Sequence, residues 1–148
     1  MYTIRKFEMI SKNDIIGYEN SGDFRGVVLE DVLKMFAEKA IVELVRLPSK
    51  KNLNKIAIAS TTDLEADKIV HALIGKNKKK LNSPKDGKNI FPLYLFLDKE
   101  VLLYAKLRNL RFEKTNVELD EISKFIDELE EKHPEVKQAV VGGYLAQF

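Results

Sequence analysis

The sequence predicts an α/β layer architecture in which a mostly parallel sheet is flanked by helices. Apolar residues at strand spacing alternate along the chain with apolar residues at helical spacing, which is typical of such folds. With 148 residues, of which 45% are hydrophobic, the chain is long enough for one compact domain with a buried core. The absence of cysteine excludes disulfides, cysteine-bound zinc and any thiol nucleophile in this chain.

Two strands and one helix are predicted in the first third of the chain. The apolar run Ile15–Tyr18 indicates a short strand. From about residue 27 to residue 39, apolar side chains recur every three or four positions, so we expect a helix with one buried face. The β-rich segment 41–47 predicts a second strand, which Pro48 ends.

The middle of the chain predicts a strand, a helix and a further strand. Residues 56–59 indicate the first of these strands, and Thr62 or Asp63 can cap the helix that follows. Gly75 is the expected end of that helix. The apolar segment 90–95 indicates another strand, although it contains Pro92.

Two helices and a tail are predicted at the end of the chain. Residues 98–110 form the first helix, and residues 118–132 form a strongly amphipathic helix that ends near Pro134. The tail, residues 138–148, is apolar enough to dock on a partner or on the body of the protein.

The overall charge and hydropathy exclude some functions and leave others open. A formal net charge of +2 is too small to indicate nucleic-acid binding by itself, so any basic function must come from local clustering. No apolar run reaches the roughly 18 residues of a membrane-spanning helix, and the start lacks the apolar core of a signal peptide. We therefore expect a cytoplasmic protein with no membrane partner.

A cluster of positive charge lies between residues 76 and 88, where six lysines stand against one aspartate. A solvated loop explains such a run, whereas contact with the phosphate backbone of RNA is the functional alternative. No aromatic residues interleave the lysines, so stacking on single-stranded bases is not indicated. The candidate RNA-binding residues are Lys76, Lys78, Lys79, Lys80, Lys85 and Lys88.

The most informative stretch runs from Lys55 to Asp67, where an apolar strand leads into a polar turn and an acidic helix start. This layout resembles the motif K-x-A-x-G-H-N-x-D-D-x-A-E of the PP-loop (N-type ATP pyrophosphatase) family, which includes enzymes that thiolate or lysidinylate tRNA. Ala59, Ser60 and Leu64 stand where the family has its Gly, His and second Asp. The resemblance therefore implies that the scaffold of a nucleotide site is retained while much of its chemistry is replaced.

The resemblance extends through the second half of the chain and covers residues 55–136 best. Segment 90–110 resembles the family's I-R-P-L followed by E-V-x-x-Y-A, and segment 128–134 resembles its L-E-x-K-x-P helix end. The resemblance implies a three-layer PP-loop ATPase (adenine nucleotide alpha hydrolase) fold with a helical C-terminus. It divides a single domain, residues 1–148, into a degenerate loop half (1–47), a family-like half (55–136) and a tail (137–148).

The segment from Ser21 to Gly26 stands where the family carries its phosphate loop, S-G-G-x-D-S. Only Ser21 and Gly22 match, because Asp23, Arg25 and Gly26 replace the second Gly, the magnesium-binding Asp and the final Ser. In a working loop, backbone amides at a helix start approach the pyrophosphate and the Asp helps to hold magnesium. The charge is thus reversed at both electrostatic positions, although the same residues also fit an ordinary turn.

Part of the usual family length is missing between Leu47 and Lys55, where the family often carries another strand, a helix and catalytic cysteines. The resemblance therefore implies a shortened, degenerate relative that has lost ATP-dependent adenylation and acts as a binding or assembly component. Two alternatives stay open: a divergent ATP-dependent tRNA-modifying enzyme with an altered nucleotide site, and an RNA-binding accessory module that uses the lysine cluster.

The weak nucleotide site implied by the resemblance consists of Ser21, Gly22, Arg25, Ser60 and Asp63. No catalytic residue or metal ligand is predicted, and the cofactor is unknown, with ATP and magnesium as the candidates. Expected partners are a second copy of the chain, a full-length relative, and tRNA. His71 is predicted to be solvated or partly packed, since no second His or Cys shares its helix face.

Overall fold

Five strands form one sheet in a computed structural model that describes residues 2–75, 81, 83–114 and 120–146. The strands are β1 (Ile15–Tyr18), β2 (Glu43–Arg46), β3 (Lys55–Ala57), β4 (Lys85–Asp86) and β5 (Asn89–Ile90). The helices within the described residues are α1 (Tyr2–Lys6), α2 (Phe24–Lys39), α3 (Thr62–Ile74), α4 (Asp98–Leu107), α5 (Glu121–Lys132) and α6 (Val136–Leu145). None of these helices is long and apolar enough to cross a membrane.

The sheet has the order β2-β1-β3-β5-β4, and β4 alone runs antiparallel to its neighbour. The mostly parallel sheet predicted from the alternating periods is therefore confirmed. Because the carboxyl ends of parallel strands meet at one edge, the loops after β1, β3 and β5 lead into α2, α3 and α4 at the same edge. That edge holds the candidate site.

Among the residues that the structure describes, two apolar clusters hold the helices in place. The larger cluster joins the sheet to α2 and α4, and its fully buried members include Ile16, Leu29 and Ile90. In the smaller cluster, side chains of α3 and α6 pack around Phe91 and Tyr94. With helical groups packed around a mostly parallel sheet, the three-layer α/β fold is confirmed.

Residues 47–54 connect β2 to β3 and pack directly on the backbone of β1. Gly17, in the middle of β1, is buried, and a Cβ atom built on it would lie only 2.4 Å from Leu53 Cδ1. At the far end of the connection, the Ile15 N–H donates to Asn54 Oδ1 (2.8 Å) and the Asn54 N–H donates to the Ile15 carbonyl (2.9 Å). The connection lies this close to the sheet because glycine has no side chain at position 17.

The strand predicted over residues 90–95 is wrong beyond Ile90. Residues 91–95 form turns, in which the Tyr94 N–H donates to the Phe91 carbonyl (3.0 Å), and Pro92 has no N–H to offer a neighbouring strand. Phe91, Leu93 and Tyr94 are each no more than 1% exposed. The apolar pattern therefore reflects burial of a turn and not strand pairing.

Several predicted boundaries also differ from the structure. The cap of α3 is Thr61, whose Oγ1 accepts from the Leu64 N–H (3.5 Å), so the choice of Thr62 or Asp63 is wrong. The predicted end of that helix is confirmed, because Gly75 closes it in the left-handed conformation. Helix α2 begins at Phe24, earlier than predicted, because Asp23 caps it.

The remaining boundaries shift by a few residues. The predicted strand 41–47 is shorter, and the predicted helix 98–110 ends at Leu107. Residues 118 and 119 lie outside the described residues, and α5 begins at Glu121 after its cap, Asp120. The tail docks on the body of the protein, since α6 packs against α3 and α5.

Candidate functional site

The start of α2 is closed by side chains of its own loop. Asp23 Oδ1 accepts hydrogen bonds from the Gly26 N–H (2.8 Å) and from Ser21 Oγ (2.7 Å). Asn20 Oδ1 accepts from the Gly22 N–H (2.9 Å). Free amides at a helix start form a ready site for an anion. Here a carboxylate of the chain already binds the Gly26 amide, so an external anion would have to displace Asp23.

Gly26 is required by the way in which this loop folds. A Cβ atom built on Gly26 would lie 2.7 Å from Ser21 Oγ and 2.8 Å from the Ser21 backbone nitrogen. A larger residue would therefore force the backbone of the loop to move, because close-packed interiors leave no room for such an overlap.

Arg25 binds Asp98 in bidentate geometry. Its Nε donates to Asp98 Oδ1 (2.9 Å) and its Nη2 donates to Asp98 Oδ2 (2.6 Å), while Thr61 Oγ1 also donates to Asp98 Oδ1 (2.6 Å). Burial by itself would lower the pKa of Arg25, but the hydrogen bond to Asp98 and the charges of Asp98 and Asp23 raise it above its ordinary value. The Asp98 carboxylate at the start of α4 therefore joins the starts of α2 and α3 to its own helix.

Asp63 is held by partners from two other helices. It accepts a hydrogen bond from the Asp98 N–H (2.7 Å) and another from Lys137 Nζ (2.7 Å). The Lys137 side chain is 8% exposed, and it also donates to Asp127 (2.9 Å) and lies 3.5 Å from Glu130. Burial by itself would lower the pKa of Lys137, but the hydrogen bonds to Asp63 and Asp127 raise it above its ordinary value. This lysine fastens α6 to α3 and α5.

Ser60 lies below the surface of the same edge. It is 3% exposed, and its Oγ donates to Glu65 Oε1 at 2.6 Å. Glu65 is itself fully buried, with Lys68 Nζ 3.5 Å from Oε1. A ligand at the surface would reach Ser60 only after rearrangement of this turn.

A polar cleft of about 520 Å³ opens beside Ser21 and Gly22. Arg46, Arg111 and Glu113 line it, and the Glu113 N–H donates to the Gly22 carbonyl (2.8 Å), which fixes that wall. Arg46 lies 4.0 Å from Glu30, whereas Arg111 has no ion-pair partner among the residues that the structure describes. With two cations and one carboxylate on its walls, the cleft favours an anion.

The structure brings together Ser21, Gly22, Arg25 and Asp63 at one edge of the sheet, with Ser60 buried beside them. Sequence reasoning missed Asp98 and Lys137, which bind two of these residues. Asp98 lies 73 residues from Arg25, and Lys137 lies 74 residues from Asp63, so no local pattern could link them.

The predicted RNA-binding lysines are only partly covered by the structure. Lys76, Lys78, Lys79 and Lys80 lie outside the described residues. Lys85 begins β4, and its Nζ donates to the Glu8 carbonyl (3.1 Å), while Lys88 is exposed. RNA binding through this cluster stays a prediction.

His71 joins α3 to the start of α5. Its Nδ1 lies 2.6 Å from the Asp67 carbonyl oxygen, and its Nε2 lies 2.6 Å from Asp120 Oδ2. Both partners only accept hydrogen bonds, so the ring satisfies them with a proton on each nitrogen. The hydrogen bonds that the ring donates to the Asp67 carbonyl and then to Asp120 raise the pKa of His71 above its ordinary value. The partly packed role predicted for His71 is confirmed.

The arrangement of strands, helices and helix starts is that of a PP-loop fold, as the resemblance implied. The structure is similar to that of the U34-tRNA thiolase NcsA from Methanococcus maripaludis, solved with its [4Fe-4S] cluster, with a TM-score of 0.73 and 18% sequence identity. The similarity covers 99% of this chain and 77% of that chain. No family model and no curated protein sequence matches this chain. At this identity the similarity establishes the fold.

Proposed function

We propose that this chain is a non-catalytic protein of PP-loop fold that takes part in tRNA modification as a binding or assembly component. The link with tRNA is supported by the similarity to NcsA, which is a U34-tRNA thiolase. The loss of catalysis is supported by the closed start of α2, where Asp23 binds the Gly26 amide and Asp98 binds Arg25.

The residues at this loop do not fit ATP and magnesium as a working phosphate loop does. A phosphate bound at the start of α2 would lie beside the Asp23 carboxylate, which already occupies the Gly26 N–H, and the two negative charges would repel each other. Arg25 stands where the resemblance places a magnesium ligand, and a guanidinium carries donors only. The Ser expected at position 26 would overlap the Ser21 backbone, which explains why Gly26 accompanies this loop shape.

The residues of this chain also do not fit a cysteine-bound iron–sulfur cluster. Cysteine thiolates hold such clusters, and this chain has no cysteine. A [4Fe-4S] cluster is present in the structure of NcsA. If this chain takes part in thiolation, the sulfur chemistry has to come from another protein.

The test is an assay of pyrophosphate release from ATP with magnesium and tRNA, in which a thiolase such as NcsA serves as the positive control. We expect no release by this chain. Turnover by the wild type that disappears in both Arg25→Ala and Asp23→Ala would overturn the proposal, because it would place these two residues in an active site.

A second candidate function is a divergent nucleotide site in the polar cleft, favoured by Arg111 beside Ser21 and Gly22. Thermal unfolding with ATP or AMP, with and without magnesium, tests it, since a ligand at about 100 times its dissociation constant adds roughly 2.7 kcal/mol of stability. Arg111→Ala should abolish the shift, whereas Lys114→Ala, which removes a neighbouring exposed cation, should retain it. No shift at millimolar nucleotide would exclude this candidate and leave the first.

A further inference from the structure

An apolar groove of about 790 Å³ lies between α2 and α4. Its floor contains Val28, Leu93 and Val101, each at most 3% exposed, whereas Leu103 (56%) and Leu107 (74%) stand at the surface. Concave sites of roughly 300–1,000 Å³ with mainly apolar linings are typical of small-molecule binding. The groove therefore has the size and the lining of a site for an apolar ligand.

Two cations lie together at one end of this groove. Arg5 and Lys39 line it, and neither has an ion-pair partner among the residues that the structure describes. Lys39 is the last residue of α2, which returns the chain to the start of β2. Arg5 belongs to α1, and shortly after this helix the Met9 carbonyl accepts from Lys55 Nζ (2.8 Å) at the start of β3. Both cations therefore lie at the edge of the sheet where the parallel strands begin.

The opposite end of the groove lies at the start of α4. Glu100, in the first turn of this helix, is the charged lining residue at that end. Its Oε1 accepts from the Leu97 N–H (3.0 Å), so this carboxylate already caps its own helix. Within the described residues, the lining thus combines a long apolar surface with free cations at the Arg5 and Lys39 end.

We propose that the groove binds one free long-chain carboxylate, whose head group pairs with Arg5 and Lys39 and whose alkyl chain lies along Leu93 and Leu103. Charge-assisted hydrogen bonds from a guanidinium and an ammonium to a carboxylate are strong. The alkyl chain displaces water from the apolar lining, and each methylene that is buried tightens binding about fourfold. Since the free cations lie at one end only, they set the direction of the ligand.

Other amphiphiles fit the groove less well. A cationic head group would be repelled by Arg5 and Lys39, and an uncharged one would leave both without a partner. An anionic membrane offers the same chemistry, but a flat lipid surface would not reach Val28, Leu93 and Val101 below the rim. The proposal requires neither nucleotide nor tRNA, so its failure would leave the proposed function untouched.

Isothermal titration calorimetry of the full chain with monomeric dodecanoate tests the site. We expect one ligand to bind per chain. Decanoate, which is shorter by two methylenes, should bind about tenfold more weakly. Dodecyltrimethylammonium has the same alkyl chain and the opposite charge, and it should also bind at least about tenfold more weakly. No binding of dodecanoate at millimolar concentration, or equal binding of the two head groups, would overturn the proposal.

Variants at the two parts of the groove locate the ligand. Arg5→Gln combined with Lys39→Gln should weaken dodecanoate binding about tenfold or more, whereas Lys99→Gln, which removes an exposed cation outside the lining, should not. Leu103→Asn should weaken it several-fold, and Leu73→Asn is the matched control, because Leu73 on α3 is 80% exposed and lies outside the groove. Circular dichroism verifies that each variant folds. Binding that survives both groove variants would place the ligand elsewhere and overturn the proposal.

Two further measurements separate the free ligand from other occupants. Vesicles of phosphatidylglycerol and phosphatidylcholine should bind the chain no better than vesicles of phosphatidylcholine alone, and binding to anionic vesicles without binding of dodecanoate would overturn the proposal. Sedimentation velocity of the chain without ligand tests a second copy as the occupant. A dimer that Leu103→Asn dissociates and Leu73→Asn retains would show that protein covers the groove, which would also overturn the proposal.

Discussion

The starts of α2 and α3 lie at the same edge of the sheet, yet they are stabilised in different ways. At the α2 start, Asp23 accepts hydrogen bonds from the Gly26 N–H and from Ser21 Oγ, which belong to the same loop. The α3 start is buried, with Thr61 and Thr62 at most 2% exposed, and it is held by side chains from α4 and α6. The α2 start is thus capped from within its own loop, whereas the α3 start is buried and is held by other helices.

The largest effect is expected from Lys137, which holds the α3 side. Lys137→Met keeps the aliphatic stem but leaves the largely buried Asp63 carboxylate without its cation, and it also removes the ion pair with the half-exposed Asp127. We expect the free energy of unfolding to fall by about 3 kcal/mol, measured by urea denaturation. Lys132→Ala, which removes an exposed lysine of α5, should change it by less than about 0.5 kcal/mol. A similarly small loss for Lys137→Met would contradict this prediction, because it would mean that the ion pairs of Lys137 contribute little to the stability of the α3 side.

Arg25 and Asp98 connect the two starts, so their coupling measures how strongly the starts depend on each other. Arg25→Ala should destabilise the fold by about 2 kcal/mol, because it removes two charged hydrogen bonds. Arg25→Lys should restore little, since an ammonium cannot reproduce the bidentate geometry. A double-mutant cycle with Asp98→Ala checks the pair, and additive losses would mean that the two starts are independent.

A smaller effect is expected from Asp23, on the α2 side. Asp23→Ala removes the cap of α2 and should cost about 1 kcal/mol. Asp23→Asn should retain most of the stability, because an amide oxygen can accept the same hydrogen bond from Gly26. If Asp23→Ala cost as much as Lys137→Met, the α2 start would be as deeply integrated as the α3 start.

The smallest effect concerns the other end of α3 and appears as a pH dependence. The pKa of His71 is raised in the folded state, so the protonated ring stabilises the fold. This contribution to the free energy of unfolding is fully present below the unfolded pKa of about 6.5 and is lost as the pH rises through the folded pKa. Hydrogen bonds from Ser123 and then His71 lower the pKa of Asp120 to about 2, so this carboxylate stays ionised over that range. The stability difference between wild type and His71→Gln should therefore be largest below about pH 6.5 and should shrink as the pH rises through the raised folded pKa of His71. A difference that grows instead would mean that the folded state holds a neutral ring.

Periodicity predicted the helices of this fold better than it predicted the strands. Helices α2 and α3 have regular apolar spacing, and Gly75 marks the end of α3. The apolar segment after Ile90 has the composition of a strand, but its side chains are buried in turns. A short apolar run indicates that its residues are buried, but it does not show whether their backbone forms a strand or a turn, because that depends on the tertiary structure.

The candidate site was predictable in its location but not in its bonding. The resemblance pointed to Ser21 through Gly26 and to Asp63, and these residues share one edge of the sheet because the strands are parallel. The partner of Arg25 is Asp98 on α4, and the cation that binds Asp63 is Lys137 on α6. These helices lie far along the chain, where sequence spacing carries no information about the contact.

The close contact between Leu53 and Gly17 constrains the connection between β2 and β3. Residues 47–54 serve as the cover of the central strand, because Leu53 rests on the bare backbone of Gly17. An inserted segment that lifted Leu53 away would leave a hole over β1, and cavities in a core are costly. A longer connection between β2 and β3 would therefore fit this fold only if Leu53 kept its place over Gly17.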